Sequence, residues 1–137
     1  MGFSMTRTAL FFCGLLSAGL LLNPANAHSL DAAIDIAPNV LNIQSGGTVV
    51  TVHTDIPYSA VDVYTVYLNG IAIESWKVDD RGNFVAKFSM DEVKMLEGLV
   101  IGDYNTFTMV GLTSDDEPFV GEQDIRVIDV SSEGRSY

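Results

Sequence analysis

VDVYTVYLNGIAIESW, running from Val61 to Trp76, decides the fold. Val63 to Leu68 is dense in β-branched and aromatic residues, and Ile71 to Trp76 continues in the same manner after Asn69-Gly70. An Asn-Gly pair between two such runs is the strongest short-range hairpin signal, because a type I′ turn needs positive φ at both central residues. The segment therefore reads as an antiparallel hairpin. Upstream, Thr48 to Thr54 (TVVTVHT) is β-branched at nearly every position and follows a Ser45-Gly46-Gly47 turn. Ile34-Asp35-Ile36 alternates before a break at Pro38-Asn39, and Asp55 to Ala60, with Pro57, reads as loop. Downstream, Asp79 to Gly82 is a turn. Phe84, Ala86 and Phe88 then alternate with Asn83, Val85 and Lys87, the mark of a strand with one buried face. Asn105 to Leu112 and Phe119 to Val130 form a last pair across the acidic turn Ser114 to Pro118.

One helix interrupts the strands. Ser89 and Glu92 have capping-box spacing, and Phe88 and Val93 fall at the positions of a hydrophobic staple. Asp91 and Glu92 suit the positive end of the helix dipole, and Gly98 supplies a stop. The expected helix covers about Met90 to Glu97 and carries the chain from one sheet to the other. The expectation is an all-β, two-sheet antiparallel Ig-like sandwich of about seven strands with one short crossover helix. It would occupy residues 34–130, between an N-terminal extension over 28–33 and a flexible tail over 131–137. The cysteine pair of antibody domains is lacking.

The chain has 137 residues, enough for one domain, and a net charge of −11. Such acidity excludes nucleic acid and anionic membrane surfaces as partners, since both repel it. Met1 to Ala27 reads as a cleaved signal peptide: Arg7 near the start, an apolar run from Ala9 to Leu22, helix-breaking Asn23-Pro24, and Ala25-Asn26-Ala27 as the cleavage site. That run is shorter than the roughly 20 residues a membrane span needs. Removing it leaves a mature chain from His28 without cysteine or a transmembrane segment, exported to the periplasm, cell surface or exterior.

From IDIAP at Ile34 to Pro38, the chain resembles the Ig-like modules whose strands begin with an I-D-I-x-P motif, found in secreted and surface proteins of bacteria and archaea. The likeness continues in order through Val40 to Thr54, Val61 to Gly70, Phe84 to Phe88, and Glu117 to Asp129. It implies a β-sandwich without known catalysis. Many such modules carry a calcium-type loop, D-x-N-x-D-G-x-x-D, just before the Phe-rich strand. In this chain Asp79, Arg81 and Asn83 fall on its asparagine, central aspartate and last aspartate, with residues deleted between. Arg81 puts a cation where calcium needs an acceptor oxygen.

The candidate metal ligands are thus Asp79, Asp80 and Asn83, with Asp115, Asp116 and Glu117 as a second acidic cluster; both also fit solvated turns. His28 would be the first mature residue, and His53 lies in a strand as a surface position. No nucleophile–base spacing or P-loop occurs, so no catalytic residue is expected. Tyr58, Tyr64, Tyr67, Trp76 and Tyr104 are the aromatics a binding face would draw on. Tyr64 shares a strand phase with Val66 and Leu68 while Tyr67 shares one with Val63 and Thr65, so at least one tyrosine points outward. Trp76, in phase with Ala72 and Glu74, is the aromatic singled out for the surface. The function expected is non-catalytic contact with other envelope or extracellular proteins. Alternatives are calcium or carbohydrate binding, or self-assembly into a fibre through sheet edges, with no cofactor otherwise.

Overall fold

The computed structural model describes residues 29–131, so the expected signal peptide, His28 and most of the expected tail lie outside the described residues. Ten strands form two sheets. In chain order they are β1 (Leu30–Asp31), β2 (Ile34–Ala37), β3 (Val40–Asn42), β4 (Val49–Pro57), β5 (Val61–Leu68), β6 (Ile71–Ala72), β7 (Ser75–Val78), β8 (Asn83–Ser89), β9 (Asp103–Thr113) and β10 (Pro118–Ile128). Helix α1 (Met90–Lys94) stands between β8 and β9, and a 3₁₀ turn covers Tyr58–Ala60. The six-stranded sheet has the order β1-β10-β9-β5-β6, with β3 also pairing with β10. The four-stranded sheet runs β2-β4-β8-β7.

The hairpin is as the sequence reads. Leu68 pairs with Ile71, and Asn69 and Gly70 take φ of 46° and 85°, both positive, as a type I′ turn demands. Asn69 also holds β9, its Oδ1 accepting the Thr108 N–H at 2.7 Å. Beyond Ala72 the expected single arm divides. Ile73 N–H donates to Val66 O in β5, whereas Glu74 N–H donates to Lys87 O in β8. Two adjacent residues thus bond to different sheets, and β7 begins in the second one. The chain makes the same move between β1 and β2: Ala32 N–H donates to Val120 O of β10, and Ala33 O accepts from Asp55 N–H of β4.

These switches turn about seven strands into ten, and they correct the antiparallel expectation at one edge. β1 and β3 both pair with β10 in parallel. Between them β2 has moved to the other sheet, and Gln123 Oε1 reaches across to accept the Ile36 N–H at 2.7 Å. Gly121 is required there. A Cβ on it would lie 2.6 Å from Ile34 Cγ2 and 2.8 Å from the Ala32 carbonyl oxygen. Leu30–Asp31, in the segment expected as an extension, is therefore occupied within the chain's own sheet.

Strand β4 runs on through Pro57, where a loop was expected. Its ladder to β8 shifts between His53 and Pro57, and the Thr54 hydroxyl closes the irregularity. It donates to Phe84 O at 2.7 Å and accepts from Ile56 N–H at 3.1 Å. Helix α1 starts where expected, with Ser89 Oγ accepting the Glu92 N–H at 3.3 Å, and it links the two sheets. It stops at Lys94 rather than Glu97 because the next amides tighten: Met95 donates to Glu92 O and Leu96 to Val93 O.

Both sheets contribute their inner faces to one core. Val50, Val52, Phe84, Ala86 and Phe88 come from the four-stranded sheet, and Val66, Leu68, Phe107, Met109, Phe119, Ile125 and Val127 from the six-stranded one. Phe84 and Phe88 are fully buried, as their phase predicts. Each such side chain contributes about 1.5–3 kcal/mol relative to exposure. Val85, in the opposite phase, is also fully shielded; it stands on the outer face between cross-strand His53 and Lys77. The alternation marks direction, and neighbouring long side chains decide exposure.

Candidate functional site

Two outer surfaces carry the residues singled out by sequence. The first is a shallow groove of about 690 Å³ on the four-stranded sheet, lined among others by His53, Lys77, Asp79, Asp80, Arg81 and Asn83. The metal candidates Asp79, Asp80 and Asn83 meet in the β7–β8 turn, where Asp79 closes the loop. Its Oδ1 accepts the N–H groups of Arg81 at 2.8 Å and Asn83 at 2.9 Å. Gly82, at φ of 85°, returns the chain. The Asn83 N–H bond holds the Asp79 carboxyl below its ordinary value; desolvation opposes it, and the Arg81 N–H, the Arg81 guanidinium and His53 add to it. One carboxylate oxygen is thus engaged by the turn itself. The second acidic cluster is built alike: Thr113 Oγ1 accepts the N–H groups of Asp115 at 3.3 Å and Glu117 at 3.0 Å. Among the described residues, no three His, Cys, Asp or Glu side chains gather as a metal site would need.

Trp76 is placed differently from its expected phase. The break after Ile73 resets the alternation, so Trp76 is half-buried and packs against the core. Its ring meets Tyr64 edge-on, with centroids 5.4 Å apart and planes at 81°.

The second surface is the outer face of the six-stranded sheet. Between Asp62–Leu112 and Tyr67–Val110 the β5–β9 ladder skips, four residues of β5 facing the single Gly111 of β9. Thr65 holds this bulge together, donating its hydroxyl to Asp62 O at 2.6 Å and accepting the Leu112 N–H at 2.8 Å. Bulges re-aim side chains. Here Tyr64 leaves the phase of Val66 and Leu68 and is 78% exposed, while Tyr67 and Val110, paired across the ladder, are 41% and 42% exposed. Leu112, Pro118 and Val120 complete a shallow groove of about 680 Å³. Beneath it Gly111 admits the Phe119 ring, whose Cζ would lie 2.5 Å from an added Cβ. Further along, Arg126 lies over the Tyr104 ring, 5.9 Å from its centroid.

The sequence expects at least one of Tyr64 and Tyr67 to point outward; both are exposed, Tyr67 by ordinary alternation with buried Val66 and Leu68 and Tyr64 within the bulge. Val110, Leu112 and Val120 drew no attention as site residues, because alternation alone does not distinguish a strand's wet face from its contact face. Among the described residues no helix is long and apolar enough to cross a membrane. Neither a family model, nor a curated protein, nor a solved structure matches the chain.

Proposed function

We propose that this chain is an exported, non-catalytic Ig-like module that acts by contact with another protein in the cell envelope or extracellular matrix. The orders β2-β4-β8-β7 and β6-β5-β9-β10 support the Ig-like part, since they parallel the A-B-E-D and C′-C-F-G arrangement of that architecture. The leader-like sequence of Met1 to Ala27 supports export. The observation that carries the contact reading is the group Tyr64, Tyr67 and Val110, exposed and lining one groove. Tyrosines offer large, rigid contact area with a polar tip, and clustered apolar exposure marks interaction surfaces.

The test is site-specific photo-cross-linking in cells that export the full chain. A benzophenone side chain at position 64 or 67 should give a discrete protein adduct, and the same probe at Thr51, outward on the other sheet, should not. Equal adducts from both faces, or none from either, would contradict the reading.

A further inference from the structure

We propose that the partner held on this face presents an apolar or aromatic side chain flanked by lysine or arginine. The proposal rests on the contact reading above and specifies the partner's chemistry. The apolar group is bordered by carboxylates. Asp31 of β1 stands directly opposite Val120, and Asp62 of β5 directly opposite Leu112. Glu122 is the next outward residue after Val120 on β10 and stands opposite Thr108, whose hydroxyl donates to its Oε2 at 3.3 Å. Past the Leu112–Pro118 pair, the turn adds Asp115, Asp116 and Glu117.

Among the described residues, no cation balances this border. Arg126 is the one lysine or arginine in the strands of the six-stranded sheet, and it is engaged by the Tyr104 ring. It lies six residues along β10 from Val120, about 20 Å at strand rise. Of the other described cations, Lys77, Arg81 and Lys87 belong to β7, β8 and the turn between them, and Lys94 donates to Ser45 O.

An apolar surface rimmed by one sign of charge selects its partner twice. Burial of Tyr64, Tyr67 and Val110 supplies contact, and the negative rim attracts cations while repelling acidic surfaces, including a second copy of this chain at −11. A lysine or arginine beside the docked side chain can pair with Asp62 or Glu122, or lie over an exposed tyrosine ring as Arg126 does within the chain. Rim charges of this kind act mainly on association rate and salt dependence.

The experiment uses the benzophenone probe at position 64 in the full chain, in envelopes from exporting cells. The parent is compared with a neutral-rim variant, Asp31→Asn with Asp62→Asn and Glu122→Gln, and with a charge-retaining variant, Asp31→Glu with Asp62→Glu and Glu122→Asp. The adduct is expected to fall about tenfold in the neutral-rim variant and in high salt, and to persist in the charge-retaining variant. If the neutral-rim variant does not melt cooperatively, the salt series on the parent decides. An adduct indifferent to rim charge or salt would overturn the cationic partner while leaving the contact reading standing. An adduct with a second copy of the chain would overturn it as well. No adduct in the parent would overturn both.

Discussion

The Leu112 N–H donates to the hydroxyl oxygen of Thr65 at 2.8 Å, in place of the backbone acceptor that the β5–β9 ladder lacks at this point. The same hydroxyl donates to Asp62 O, so one side chain stitches both ends of the bulge that presents Tyr64. Thr54 does the equivalent in β4. Each sheet thus carries a register shift at a threonine whose hydroxyl substitutes for missing ladder bonds.

Replacing Thr65 by valine keeps the shape and removes the hydroxyl. The Leu112 N–H is then left without its acceptor, which costs about 1–3 kcal/mol for a shielded group. Thr65→Val should lower the unfolding free energy by that order in a urea titration, while Thr65→Ser retains most of it. A valine variant as stable as the parent would mean that another acceptor takes over.

Phe88, fully buried between the sheets, gives the plainest core test. Phe88→Ala should cost about 3–5 kcal/mol by the same titration. A loss below about 1 kcal/mol, ordinary for a surface change, would contradict its place in the core.

The β5–β6 hairpin turn is equally direct to test. Gly70 has φ of 85° with open space around its Cβ position, so backbone conformation rather than crowding opposes a side chain. Gly70→Val should lower the melting midpoint distinctly, because a β-branched residue resists positive φ. An unchanged midpoint would imply a different turn.

Asp79 links the acidic turn to pH. Its carboxyl titrates below the ordinary value because the ionised form accepts the Asn83 N–H bond. Its contribution to the turn is therefore complete above the ordinary carboxylate value and is lost as pH falls through the depressed folded value. The amide resonances of Arg81 and Asn83 should shift together with a midpoint below that of an unperturbed aspartate. A midpoint at or above the ordinary value would contradict the bond.

What the sequence made legible is what local chemistry determines. Asn69-Gly70 fixes a turn by its own φ preferences, Ser89 caps α1 with its own hydroxyl, and Phe84 and Phe88 reveal a buried face by period. Partner choice is not local. Nothing in IAIESW marks that Ile73 bonds to β5 and Glu74 to β8, so ten strands read as about seven and the phase assigned to Trp76 came out reversed. The threonines were legible only as β-branched strand formers, because a hydroxyl's bonding partners depend on what the fold brings beside it. Hence the bulge at Tyr64 is hidden in the sequence, and with it the face proposed for contact.

The tyrosines of the proposed contact face can be tested apart from the fold. A benzophenone probe at Val110 reports contact, and Tyr64→Ser with Tyr67→Ser removes two exposed rings and the Tyr64 edge contact with Trp76, but no fully buried side chain. The measurement is the yield of protein adduct from position 110 in exporting cells, in the parent and in the double variant, with melting midpoints compared in parallel. A discrete adduct is expected in the parent and its loss in the double variant, with midpoints within a few degrees of each other. An adduct of undiminished yield in the folded double variant would contradict it.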